Sequence, residues 1–490
     1  MEGDRGMEID TLPPRWAWVG LGKIVQELES GSRPSGGVRG ISEGVPSIGG
    51  EHLTSEGGID FKNIRFVPPK FAESMSRGHV AKEDILIVKD GATTGKTAFV
   101  DDGFSFAQAV LNEHVFKLRV HPGVASQRYV FHFLRSPMGQ EMIHSSFKGS
   151  AQGGINQTFV EHVKVPLAPR SEQERIVKEI ERVERNLRSV KQGLLRVPAI
   201  MMQFRQSVLA KAFRGELAAH DSADGHFSKP LELTDSGSGN KPRDNPTLHP
   251  YPLPKNWAWT SFGREIEGTL YGPRFGKDEY TTMGTMTIRT TDMDDFGNII
   301  LKDPPRVKLN QKQKENFGLK SGDILITRSG SIGKCAIFEG VDQSAIPSAY
   351  IIRVRLMTKR VDPRYALYYL LSPDGQRLLG TGSHAITQQN INAEVIKKFP
   401  FPLAPIGEQI RIAAKIQELF AHSDEVESAV LEGMGKIREI EQASLAKAFR
   451  GELVSQDPNE EPASALLEGI GLSTTNGHAM RRKRIRLTTN

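Results

Sequence analysis

The chain has 490 residues, of which 38% are hydrophobic and 25% charged, an ordinary globular balance with room for two to four domains. One cysteine, Cys335, excludes an internal disulfide framework and suits a reducing cytoplasm, the expected location. The acidic, polar stretch Met1 to Asp10 does not read as a signal peptide, and no apolar run approaches the ~20 residues a bilayer span needs, so no membrane is expected; a net charge of +6 leans toward a polyanionic partner.

In chain order, residues 1–10 read as a disordered start and 11–168 as a β-rich globular segment with scattered helices. Leu12-Pro13-Pro14-Arg15-Trp16-Ala17-Trp18 opens that segment. Asp84-Ile85-Leu86-Ile87 is a β-branched run leading into a glycine turn. Arg128 to Leu134 reads as a short helix ending near Ser136-Pro137. After Pro166-Leu167-Ala168-Pro169, residues 169–217 read as a long helix. Its apolar positions, Ile176, Ile180, Val183, Leu187, Val190, Leu194, Val197, Met201, Phe204 and Val208, alternate four and three apart, a heptad seam. Pro198 should kink or restart it, because proline lacks an N–H and clashes with the preceding turn.

Residues 218–247 are rich in Ser, Gly, Asn, Asp and Pro and read as a linker. A second globular segment, 248–404, and a second long helix, 405–453, follow. This seam runs through Ile412, Ile416, Leu419, Val426, Val430, Ile437 and Ile440, weakened where Ser423, Gly433 and Ser444 occupy it. Residues 454–490 read as a disordered basic tail whose Arg481-Arg482-Lys483-Arg484 run is either a phosphate contact or a solvated end.

The second half repeats the first. Leu-Ala-Lys-Ala-Phe-Arg-Gly-Glu-Leu occurs at Leu209 to Leu217 and again at Leu445 to Leu453. Trp16 and Trp18 answer to Trp257 and Trp259, Asp84 to Asp323, Arg128-Tyr129 to Arg364-Tyr365, and Glu172-Gln173 to Glu408-Gln409. The offset falls from 241 to 236 between Trp16 and Arg128 and is then constant, so the last part of each copy is locked in length while the first varies. Residues 172–217 carry ten Lys/Arg and six Asp/Glu, residues 408–453 six and nine. Opposite charge on two seams in register favours their pairing.

Catalytic strings are missing. Gly91 to Lys96 resembles a phosphate-binding loop but has three residues between its glycines where four are needed, and its counterpart Gly330 to Lys334 is shorter still. Asp303-Pro304-Pro305-Arg306 lacks the aromatic that would stack on a flipped base. No Cys-x-x-Cys or His-Glu-x-x-His occurs, so no zinc site is expected. The four tryptophans read as packing residues rather than base-stacking ones.

The duplicated order of Trp-x-Trp, Asp-Ile-Leu-Ile with its Gly-Lys turn, Pro-Leu-Ala-Pro, Glu-Gln and the Ala-Phe-Arg-Gly-Glu-Leu helix end resembles the specificity (S) subunits of type I restriction–modification systems, over 11–217 and 248–453. The resemblance implies an α+β tandem repeat with a pseudo-two-fold. Each half would be a β-rich target recognition domain followed by a long helix, and the two helices would pair as an antiparallel coiled coil. It further implies a non-catalytic subunit that reads a bipartite, asymmetric site in double-stranded DNA. Methyltransferase (M) subunits, expected as two, and restriction (R) subunits would bring S-adenosylmethionine, ATP and Mg²⁺; the chain itself would hold no cofactor or metal. Competing classes are a methyltransferase or nuclease with degenerate motifs, and a coiled-coil interaction protein without a DNA role.

Candidate DNA contacts follow from where the copies differ. Ile48 to Leu53 aligns with Ile288 to Met293, an apolar frame around replaced residues. Arg289 suits guanine O6/N7 and Glu51 suits cytosine N4, with His52 and Thr291 beside them; an ordinary diverged loop is the alternative. Lys89 and Arg328, each directly after a strand, suit phosphate or a plain surface turn. Gln152 and Gln388 sit in matching loops, and Lys96, Arg274 and Lys277 are further loop cations.

Overall fold

The computed structural model describes residues 12–147, 153–217, 251–329, 332–340, 344–380, 391–469 and 471. The start expected to be disordered, the linker, Gln152, Gln388 and the terminal basic run named above lie outside them. Two compact units emerge, and the boundary is not the sequence repeat. One unit is Met1–Leu194 with Glu432–Asn490; the other is Leu195–Leu431.

The first unit contains strands β1 (Ala17–Gly20), β2 (Val25–Ser30), β3 (Val45–Ile48), β4 (Arg65–Val67), β5 (Ile85–Val88), β6 (Thr97–Phe99), β7 (Val110–Leu111), β8 (Val115–Val120) and β9 (Lys164–Leu167). They form a sheet ordered β2-β8-β5-β6, a smaller one ordered β4-β3-β7, and the pair β1-β9. Alternation is weak in β5 and β8 because both faces are covered, so they read as apolar runs. The second unit contains β10 (Ala258–Ser261), β11 (Ile266–Tyr271), β12 (Tyr280–Thr281), β13 (Thr285–Ile288), β14 (Arg306–Val307), β15 (Asp323–Thr327), β16 (Cys335–Phe338), β17 (Ala345–Pro347), β18 (Ile351–Leu356) and β19 (Pro400–Leu403). Its sheets run β11-β18-β15-β16, β12-β14-β13-β17 and β10-β19. The order is the same apart from one added edge strand, β12. Even the bulge is kept, at Val25/Glu27 and at Ile266/Gly268. The length differences therefore fall between paired strands, where they disturb no register.

The repeated aspartate is explained by a buried pair. Asp84 receives Arg119 Nε at 2.5 Å, and Asp323 receives the fork of Arg355 at 2.6 and 2.7 Å. The Gly-Lys turn is held from outside: Gln140 and Gln376 donate to the carbonyls of Gly95 and Gly333, which gives the phosphate-loop look-alike a purely structural use.

Helix Arg170–Leu194 ends before a second helix, Val197–Phe213, that starts with Pro198 in its first turn, the predicted restart. Its counterpart Ile406–Ala448 is unbroken. Gln173, the repeated residue after Glu172, donates to the carbonyls of Val124 and Ala168 and accepts from Ser126 N; Gln409 repeats this with Arg360, Ala404 and Asp362. Glu172 accepts from Trp16 Nε1 at 3.0 Å, whereas Glu408 accepts from Asn256 and leaves buried Trp257 Nε1 unpartnered.

Within each unit a stretch of one long helix lies antiparallel to a stretch of the other. In the first, Ile176 and Ile180 share a core with Leu445 and Phe449, while Leu194 meets Gly433. In the second, Val208, Leu209 and Phe213 share a core with Ile412, Ile416 and Phe420. The seam expected to be continuous is not: Val190, Phe204, Val426 and Ile440 are exposed. Burial concentrates where a globular segment covers the pair. Ser423 is fully buried because its hydroxyl receives Arg205 Nε at 2.9 Å, so it is a polar joint and not a defect in the seam.

The nonapeptide repeat serves the opposite copy. Phe449 packs edge-on against Tyr129 and Phe133, at 5.2 and 5.3 Å between centroids; Phe213 does the same to Tyr365 and Tyr369 at 5.1 and 5.3 Å. Gly451 (φ 74°) and Gly215 (φ 77°) then close against Pro13 and Pro254, where a Cβ would come within 2.4 and 2.2 Å of the ring. The left-handed backbone and the close approach both require glycine. The tail expected to be disordered from 454 is ordered to 469. Helix Ala463–Glu468 buries Ala463 and Leu467 in the first unit's core, Ala463 N donates to Arg15 O at 2.9 Å, and Arg175 pairs with Glu460.

Candidate nucleic-acid interface

In each unit one end of the four-stranded sheet gathers polar side chains from three strands. Ser30 pairs with Phe116 and Val88 with Val115, so the end of β2, the start of β8 and the end of β5 coincide. There the chain presents Arg33, Asn112, Glu113, His114, Lys89 and Asp90. Arg33 Nε lies 2.9 Å from Glu113, and His114 Nδ1 lies 2.5 Å from Asp90. Arg33, Ser47, Arg65 and Asn112 line a narrow cleft, with Glu51 at its rim 3.2 Å from Arg65. Gly154 bridges Asp90 and Ile155 N donates to Lys89 O at 2.7 Å, which ties that stretch to this end.

The second unit builds the same end from β11, β15 and β18 with other chemistry. Tyr271 pairs with Ile352 and Thr327 with Ile351. Arg328 stacks 4.9 Å over the Tyr271 ring, Tyr350 stands 56% exposed where the first unit has His114, and Arg274 is exposed. Gly31 and Gly272 make equivalent close approaches to the carbonyls of Leu111 and Ser348, so Arg33 and Arg274 occupy equivalent positions. Ile391 N donates to Arg328 O, as Ile155 does to Lys89.

The sheet end thus unites Glu51 and Lys89 in one unit and Arg274 and Arg328 in the other. Lys277 and Thr291 are exposed on short 3₁₀ turns. Three candidates are committed elsewhere. His52 is buried, and its Nδ1 accepts from Gly49 N at 2.8 Å; it caps a turn, and burial keeps it from a base edge. Lys96 Nζ donates to Leu53 O at 3.0 Å, tying two loops together. Arg289 forks onto Asp292, at 2.8 and 3.1 Å, which holds its guanidinium above its usual pKa and caps the equivalent turn. Its Nη2 also donates to Asp303 O at 3.2 Å, so the guanidinium is held from two sides and a bidentate approach to a base edge would have to displace one of them. Arg33, Arg65, Asn112 and His114 were not singled out from sequence. The equivalence of Gly31 and Gly272, at the same offset of 241 as Trp16 and Trp257, was the available signal for Arg33.

The fold and these ends define a class: a two-domain reader whose halves share one frame and differ in the groups presented. The chain belongs to the family of type I restriction modification DNA specificity domains, whose model matches it twice, over residues 32–197 and 271–433. It is 26% identical over 453 residues to the type I restriction enzyme EcoBI specificity subunit of Escherichia coli, covering 88% of this chain and 90% of that one. The MjaVIII specificity subunit of Methanocaldococcus jannaschii is 21% identical over 416 residues, covering 83% and 87%. Two solved structures share the fold at 20% identity. A chain from work on complex assembly and conformational transition of the type I R-M system has a TM-score of 0.62, covering 91% of this chain and 100% of that one. The HsdS subunit of Thermoanaerobacter tengcongensis has a TM-score of 0.54, covering 91% and 99%. No helix among the described residues is long and apolar enough to cross a membrane.

Proposed function

We propose that this chain is the non-catalytic specificity subunit of a type I restriction–modification complex, reading an asymmetric, bipartite target in double-stranded DNA. The observation that carries the reading is the pair of equivalent sheet ends with unequal chemistry. The first, with Arg33, Arg65, Glu51 and Asn112, offers the fork and amide groups that suit guanine, cytosine and adenine edges in the major groove. The second, with Arg274, Arg328, Tyr271 and Tyr350, offers cations for phosphate and rings for apolar contact with a thymine methyl. Equivalent frames meet equivalent poses on a pseudo-two-fold duplex, and unlike side chains then select unlike half-sites. Lys89, Thr291 and Lys277, with Gln152 and Gln388 in the adjoining loops, are proposed as further contacts.

Methyltransferase subunits, proposed as two, would supply adenine methylation with S-adenosylmethionine, and restriction subunits cleavage with ATP and Mg²⁺. The chain would act in the cytoplasm. Co-expression with its methyltransferase subunit, followed by mapping of methylated adenines on random duplex DNA, should return one two-part consensus with an unread gap. Methylation without such a consensus, or by the chain alone, overturns the reading.

A further inference from the structure

One contact region in each unit is built at equivalent positions from different chemistry. It joins a loop tip and the adjoining short helix of the recognition domain to the pair of long helices. In the first unit the tip is Glu56, whose carboxylate lies 2.7 Å from Lys191 Nζ; that ion pair holds it well down, at about 2. Arg135 of the short helix lies 2.7 Å from Glu184, and Glu441 sits among these charges with its pKa raised by burial. In the second unit the tip is Phe296, over whose ring the buried Arg205 guanidinium lies at 4.1 Å. Arg205 also donates to Asp424 at 2.7 Å and lies 3.4 Å from Glu427.

The two repeats align these residues one to one. Glu56 stands where the other copy has Phe296, Arg135 where it has Leu371, Glu184 where it has Phe420, Lys191 where it has Glu427, and Glu441 where the first copy has Arg205. The tips take one conformation, set by Gly57 (φ 85°) and Gly297 (φ 95°). A Cβ on either would come within 2.9 Å of the short helix's side chains, Arg135 in one unit and Leu367 in the other. Two of these five positions invert their charge and three exchange a charge for an apolar group, so a contact kept in place but rebuilt in chemistry is not a remnant of the common frame.

We infer that these tips are keyed latches that fix the pose of each recognition domain on its own helices, and that this pose, together with helix length, selects the gap between half-sites. The latches use side chains other than those gathered at the sheet ends, so they are assigned no base readout. A domain free to pivot reaches its half-site across a neighbouring gap length, since one base pair advances the duplex by only about 3.4 Å. The inference rests on the function proposed above.

The test uses the full chain with its methyltransferase subunit, mapping methylated sites by gap length. Lys191→Glu brings a third carboxylate to Glu56 and Glu441. It should raise the share of sites whose gap departs by one base pair about fivefold, in keeping with an exposed ion pair turned to repulsion, and leave both half-sites unchanged. The exchange Glu56→Lys with Lys191→Glu should restore the narrow distribution. Arg188→Glu, the same change of charge at an exposed neighbouring position, should not broaden it. An unchanged gap distribution in Lys191→Glu, broadening by Arg188→Glu as well, or failure of the exchange to restore, each overturns the latch. Absence of any two-part consensus from the unaltered chain overturns the proposed function, and the latch with it.

Discussion

Replacing Phe449 by alanine should damage the recognition domain of the copy to which it does not belong. The ring is 1% exposed and stacks edge-on against Tyr129 and Phe133. Truncating a buried phenylalanine costs about 3–5 kcal/mol, part of it the two edge-to-face contacts. Tyr129 Oη donates to Pro166 O at 2.5 Å, so loosening its ring also loosens β9, the strand that leads into the first long helix. Hydrogen exchange read by mass spectrometry is the assay. Amides of Gln127–Arg135 and Lys164–Leu167 should lose protection by roughly two to four powers of ten, the equivalent of that free energy. Those of Pro363–Leu371 and Pro400–Leu403, in the same sequence copy as Phe449, should keep theirs. Loss of protection in the second set with retention in the first would refute the exchange of nonapeptides between copies.

Other expectations are narrower. Gln173→Ala strands two buried carbonyls and the Ser126 N–H, and should lower stability by about 1–3 kcal/mol or more, read as a fall in the melting temperature. Arg33→Ala should relax one half-site by about 1–3 kcal/mol of discrimination at a base edge, whereas Arg274→Ala, at a cation assigned to phosphate, should weaken binding and leave both half-sites unchanged; mapped methylation sites degenerate in both halves from either change would contradict the assignment. Burial, then Arg135 and Arg128, hold the His132 imidazole well below its usual 6.5, so it is neutral when folded. The unfolded chain takes up that proton as pH falls through 6.5, and the folded chain does not. Stability should therefore decline on acidification below 6.5, by up to about 1.4 kcal/mol per pH unit. His132→Tyr, the residue found at the equivalent position 368, should remove that part of the slope in urea titrations at pH 5 to 7.

Much of this architecture is readable from the chain because duplication supplies two noisy copies of one signal. The strands that follow Asp84 and begin at Asp323, and the restart at Pro198, all took the positions their patterns implied. What escaped was pairing over distance. Nothing local tells that Phe449 packs on Tyr129 rather than on Tyr365, because both targets are the same residue in the same motif. His52, Lys96 and Arg289 misled for a related reason: a polar side chain in a divergent loop looks free until the carbonyl, N–H or carboxylate that engages it is known. The first part of the tail, 454–469, departs from the expectation of disorder because Glu460 meets Arg15 and Arg175 and the six-residue helix Ala463–Glu468 fills a place in the first unit's core, too short a pattern to stand out in a polar context.

The division of the chain has a consequence for synthesis. Leu195–Leu431 is continuous, so the second recognition domain can finish its core as soon as it leaves the ribosome. The first domain is made earlier, yet its Tyr129 and Phe133 wait for Leu445 and Phe449, which emerge some three hundred residues later. The domain translated first is thus completed last, and until then it carries an open aromatic face through most of translation.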